Sequence, residues 1–164
     1  MIEGRVWKLG EHINTDLIIP GRYLDDYSAA NLAAHALEDA DPQFAKQVRK
    51  GDILVAGRNF GCGSSREQAP LALKYAGVGA VVAGSIARIF FRNAINVGLP
   101  VVVCPKASQA VQAGDVIRID LQQGTIEVVG TEKILKFDPM PDFLRSILVS
   151  GGLVPYTRER LHQK

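Results

Sequence analysis

An α/β fold with a parallel βαβαβ core is expected from three observations on the sequence. First, Asp52–Gly57, Ala80–Gly84 and Leu99–Cys104 are short apolar runs without polar alternation, the pattern of strands buried on both faces. Second, the segments between them, Gln68–Ala76 and Ile86–Val97, are rich in helix-forming and apolar residues and stop at Gly77 and Gly98. Third, alternation takes over late in the chain, so a C-terminal β-rich layer is expected beside the core, in an arrangement of β, β and α layers.

Taken in order, Gly4–Gly10 alternates like a half-buried strand, and Asn14–Leu24 reads as a polar turn, a short apolar run and a Pro-Gly turn. Ser28–Glu38 is an Ala-rich helix with Ser28 as its cap, and Asp41–Val48 is a second short helix with Pro42 at its first position. Arg49–Asp52 turns into the central strand. Strand, helix, strand, helix, strand then follow from Asp52 to Cys104, and right-handed crossovers make the three strands parallel. Gly114–Asp120 and Gly124–Gly130 form a hairpin, to which Ile134–Phe137 adds a strand. Pro141–Leu148 is a helix ended by Gly151-Gly152, and Arg158–Lys164 is a solvated, mixed-charge tail.

The stretch Asn59-Phe60-Gly61-Cys62-Gly63-Ser64-Ser65-Arg66-Glu67 closes the central strand and opens the following helix. Unpaired N–H groups at a helix start favour anions, and Gly61 and Gly63 let the backbone approach a ligand. Ser64 and Ser65 supply hydroxyls, and Arg66 can grip a carboxylate with two prongs. The stretch therefore suits a small carboxylate or phosphate. Ser64-Ser65-Arg66-Glu67 equally fits a capping box, a purely structural device, although that leaves Arg66 and the Gly-Cys-Gly run without a purpose. A dinucleotide loop would need glycine where Arg66 stands, and a P-loop would need Gly-Lys-Ser/Thr.

A chain of 164 residues, 47% of them hydrophobic, is enough for one domain spanning 1–164. The formal charge of +2, with no basic run, does not point to nucleic acid. Met1–Arg5 lacks the apolar stretch of a signal peptide and the apolar runs are strand-sized, so no membrane span and a cytoplasmic location are expected. Cys62 and Cys104 are the only cysteines and cannot complete an iron–sulfur cluster; with no zinc-like spacing either, no metal is expected on this chain. Cys104 reads as buried filler, and Cys62 lies in the loop.

The block Asn59–Glu67, with Gly84-Ser85-Ile86-Ala87-Arg88-Ile89-Phe90-Phe91-Arg92-Asn93 and Asn96-Val97-Gly98-Leu99-Pro100, resembles the small subunit of 3-isopropylmalate dehydratase. It is similar as well to the small subunit of homoaconitase and the swivelling domain of aconitase. The resemblance runs from about Gly4 to Tyr156 and implies an aconitase-like swivelling domain. It implies a two-chain hydro-lyase of leucine synthesis, which isomerises 2- and 3-isopropylmalate by dehydration and rehydration. The partner would be a large subunit, in a heterodimer or heterotetramer, holding a [4Fe–4S] cluster whose open iron binds substrate; this chain would bind no cofactor.

By the same resemblance Ser64 is the catalytic serine, taking a proton as an alkoxide, and Asp16 supports the charge network of the site. Ser65 and Arg66 hold a substrate carboxylate, and Arg22 lies near the place of another substrate arginine. The loop with Tyr23, Leu24 and Asp25 helps choose the substrate's side group. Asp25 stands where an arginine is found in such enzymes, and its charge disfavours a tricarboxylate such as homoaconitate. From the residues alone, Asp16 also reads as an Asx cap and Asp25 as a solvated loop acid. Arg88 and Arg92 share a helix face, either to pair with acids of this chain or to face a partner subunit, and the sequence offers no ground for choosing between the two. Two other readings stay open: a hydratase acting on homoaconitate or a methylated malate or maleate, and a non-catalytic carboxylate-binding module.

Overall fold

The computed structural model describes residues 1–162. In chain order its elements are β1 (Ile2–Lys8), α1 (Thr15–Ile18), a 3₁₀ turn (Gly21–Tyr23), α2 (Ala29–Ala34), α3 (Phe44–Gln47), β2 (Ile53–Ala56), α4 (Gln68–Ala76) and β3 (Ala80–Ala83). There follow α5 (Arg88–Val97), β4 (Val101–Val103), α6 (Ala107–Ala110), β5 (Val116–Asp120), β6 (Thr125–Val128), β7 (Ile134–Lys136), α7 (Asp142–Val149) and α8 (Leu153–His162).

One seven-stranded sheet in the order β4-β3-β2-β1-β5-β6-β7 runs through the molecule. The β1–β2, β2–β3 and β3–β4 pairs are parallel, and β5 joins β1 antiparallel and begins the meander β5-β6-β7. The expected βαβαβ unit is thus β2-α4-β3-α5-β4. The C-terminal strands continue its sheet through β1, and the sheet curls back on itself. Val55, Val82, Val102 and Cys104 from the parallel half share one apolar cluster with Ile117, Ile119 and Ile126 from the meander. On the opposite face Leu54, Val81 and Val101 pack under the helices with Leu73, Phe90 and Ile95. One continuous sheet therefore supplies both β layers, and the helices supply the third.

Local chemistry explains the element boundaries. Ser28 Oγ accepts from Asn31 N at 3.2 Å and caps α2, as expected, but Leu37 takes a left-handed φ of 55° and the helix stops at Ala34. Pro42 lies in a turn before α3, which begins only at Phe44. Gly77 and Gly98 end α4 and α5 at φ of 105° and 85°. Asp52 is buried where β2 begins; its carboxylate accepts from Trp7 Nε1 at 2.7 Å, Arg49 N at 2.9 Å and Arg5 Nη2 at 3.0 Å, tying β1 to β2. The stretch read as a solvated tail is largely helix α8, and Gln163 and Lys164 lie outside the described residues.

Candidate functional site

The loop after β2 and the segment after β3 meet beyond the C-terminal ends of their strands, joined by a parallel bridge between Phe60 and Ile86. Phe60 N donates to Ser85 O at 3.0 Å, Ala87 N to Phe60 O at 2.9 Å and Asn59 N to Ser85 Oγ at 2.7 Å. The Phe60 and Phe90 rings pack edge-on with centroids 5.2 Å apart. The two segments are therefore fixed relative to each other before any ligand arrives.

The path of the loop depends on backbone that few residues adopt. Asn59, Gly61 and Gly63 have φ of 64°, 78° and 97°. A Cβ at Gly61 would stand 2.3 Å from Phe90 Cγ, so the glycine also provides close approach. Gly61 N donates to Ile13 O at 2.7 Å and Thr15 N to Cys62 O at 2.9 Å, which lays the loop along the entry to α1. The capping box does not form. Gly63 and a bond from Arg66 N to Ser64 O keep the chain out of helix, α4 starts at Gln68, and Glu67 at the cap position makes no side-chain cap bond. Ser64 and Ser65 are exposed instead of being consumed by the helix.

These segments bound a cleft of about 490 Å³. Gly61, Gly63, Ser64, Ser65 and Arg66 form one wall, Thr15 lies behind them, and Ala87 to Phe90 with Arg92 and Asn93 form the other. No acidic residue lines the cleft among the described residues. Asp16 stands beside it: its Oδ1 is 2.5 Å from Arg66 Nη1, and the same nitrogen donates to Ile19 O at 3.3 Å. The Arg66 side chain is 23% exposed and the Asp16 side chain 66%, so Arg66 is held while the acid faces water. Ser64, Ser65, Arg66 and Asp16 are thus brought together.

Arg22 is not brought into the cleft wall. It binds Glu38 Oε2 at 2.9 Å and Asp39 Oδ1 at 2.7 Å, and stacks over the Tyr23 ring at 4.7 Å. Its hydrogen bonds to Asp39 push its pKa further up and hold the Asp39 carboxyl below the usual range. Tyr23 lies face to face with His35, with centroids 3.6 Å apart, Leu24 packs against the core, and Asp25 is exposed. The 3₁₀ turn touches the site through Gly21, where a Cβ would lie 3.6 Å from Arg66 Nη2. Conversely, Arg88 and Arg92, left without a role by the sequence, line the cleft opposite Ser64. Their spacing of four was the available signal.

Cys62 is partly exposed in the loop and Cys104 is buried, where burial pushes its thiol pKa up. No group of three His, Cys, Asp or Glu side chains comes together as a metal cage among the described residues, and none of their helices is long and apolar enough to cross a membrane.

Residues 11–106 match the aconitase C-terminal domain family. The chain is 52% identical over 163 residues to the 3-isopropylmalate dehydratase small subunit of Nautilia profundicola, covering 99% of this chain and 98% of that one. It is 56% identical over 154 residues to the methanogen homoaconitase small subunit of Methanothermobacter thermautotrophicus, covering 94% and 89%. The crystal structure of a 3-isopropylmalate dehydratase from Methanocaldococcus jannaschii superimposes with a TM-score of 0.92 at 46% identity, covering 99% of this chain and 96% of the other.

Proposed function

The chain belongs to the aconitase C-terminal domain family, among the small subunits of 3-isopropylmalate dehydratase and its sister hydro-lyases, and on that footing we propose that it supplies the proton-transfer wall of such an enzyme. It is a hydro-lyase subunit of leucine biosynthesis, and its reaction is the interconversion of 2- and 3-isopropylmalate. The observation that carries the assignment of roles is the cleft in which exposed Ser64 and Ser65 adjoin an arginine fixed by Asp16.

In this reading Ser64 Oγ removes the proton beside the substrate carboxylate, and returns it in the hydration half of the cycle. A serine hydroxyl is a weak acid, so its alkoxide needs nearby positive charge, and the arginines of the cleft provide it. Ser65 donates to the carboxylate and Arg66 presents the guanidinium edge not taken by Asp16. Asp16 fixes the orientation of Arg66. The 3₁₀ turn at Gly21 abuts Arg66, so the segment Arg22, Tyr23, Leu24 and Asp25 would act on the substrate's side group from behind that arginine.

Two cysteines are too few thiolates to hold an iron–sulfur cluster, so the cluster belongs to a large subunit that covers the cleft. The whole of residues 1–164 acts as one swivelling unit in a cytoplasmic complex with that subunit. A second reading, homoaconitate as substrate, is favoured by the similarity to the methanogen homoaconitase subunit and opposed by Asp25. The test is reconstitution with the candidate large subunit under anaerobic conditions, followed by assays on isopropylmalate, homocitrate and citramalate. Turnover of isopropylmalate is expected; no turnover of any of the three by a formed complex with an intact cluster would leave a carboxylate-binding module.

A further inference from the structure

We propose that Arg88 and Arg92 are substrate-binding residues, whose guanidiniums bind carboxylate oxygens of the malate-type substrate from the α5 side of the cleft, beside the contacts made by Ser65 and Arg66. This deepens the hydro-lyase reading and rests on it.

The argument is one of uncompensated charge. Three arginines line the cleft, and only Arg66 has a carboxylate partner, Asp16 at 2.5 Å. Toward a ligand, Arg66 and Asp16 largely cancel. Arg88 and Arg92 are exposed, and no carboxylate lies within ion-pair distance of either among the described residues. Arg5, Arg22, Arg58, Arg118 and Arg145 each find an acid; of the arginines that do not, only Arg88 and Arg92 line the cleft. With no acid in the wall, the cleft keeps the charge of two guanidiniums, which matches a dicarboxylate dianion.

The geometry divides the work. The Ser64–Arg66 loop approaches the cleft from the end of β2, and Arg88 and Arg92, one turn apart on α5, approach it from the end of β3. The α5 side thus offers anion contacts of its own, and a guanidinium suits a carboxylate through paired N–H bonds. Ile89, 52% exposed in the same wall, offers apolar surface to the substrate's side group.

The test uses the assembled two-subunit enzyme with Arg88→Gln, Arg92→Gln, the double variant and Arg88→Lys. Steady-state kinetics on 3-isopropylmalate would be read beside calorimetric binding of that acid and the affinity between the subunits. Each single glutamine variant should raise KM and the dissociation constant by roughly 10-fold, the double variant by more, with subunit affinity unchanged. Arg88→Lys should lose less than Arg88→Gln. Unchanged binding of the dianion in the double variant would overturn the assignment, as would a loss confined to subunit affinity, which would make the pair a docking contact. Should the wild-type complex fail to turn over isopropylmalate, the hydro-lyase reading falls, and calorimetry of wild type against the double variant with malate as probe still decides the role of the arginines.

Discussion

Asp16 Oδ1 lies 2.5 Å from Arg66 Nη1, joining the entry of α1 to the loop before α4. Because Asp16 is mostly exposed, the pair adds little to stability, about 1 kcal/mol or less. Its consequence is orientation: the guanidinium is also held by Ile19 O and faces Gly21. Asp16→Asn should therefore lower kcat/KM of the reconstituted enzyme by roughly 10- to 100-fold through a loosened charge-assisted bond. Kinetics and thermal melting measured together check this, the melting temperature staying near that of the wild type.

Gly61→Ala tests the close approach that shapes the cleft. The new methyl would meet Phe90 Cγ at 2.3 Å, and the backbone there has φ of 78°. Phe90 is packed edge-on against Phe60 and cannot yield without opening the core. A loss of about 2–4 kcal/mol is expected, from overpacking and the left-handed conformation together. Denaturant unfolding would measure it.

Asp52 predicts an acid limb of the stability profile. Burial alone pushes its carboxyl up, yet the Arg49 N–H, the Trp7 indole and Arg5 outweigh burial and hold it below the ordinary 3.8. A carboxyl whose folded pKa is depressed stabilises the fold above its unfolded pKa, and that contribution fades as pH falls through the lower, folded value. Asp52→Asn should cost about 2–4 kcal/mol at neutral pH. The gap between variant and wild type should narrow below about pH 4, as urea unfolding at a series of pH values would record.

Much of this architecture is legible in the residues. Unalternating Ile53–Ala56 and Ala80–Ala83 announce doubly buried strands, and Gly77 and Gly98 announce the ends of the helices between them. What escapes is whatever depends on distant partners. The alternation of Val116–Asp120 marks a half-buried strand but does not say that it pairs with β1 and continues the same sheet. Ser64 to Glu67 carries the pattern of a capping box, and only the path set by Gly63 shows the serines released from that duty. Arg22 sits next to a turn expected at the site, but Glu38 and Asp39, brought near by α2, hold it outside the cleft wall. Arg88 and Arg92 become cleft residues only because Phe60 and Ile86 bridge the two strand ends. Pro155 and a run of charges hide α8.

The central claim is that the Ser64 hydroxyl moves the proton. Ser64 is exposed and stands outside every helix and strand, so Ser64→Ala should leave folding and subunit assembly intact. The most direct measurement is the rate of isopropylmalate turnover by the assembled enzyme carrying that substitution. The account predicts a loss of at least about 10³-fold in kcat with near-normal KM. A rate within about 10-fold of wild type, in a complex shown to hold its cluster, would contradict it.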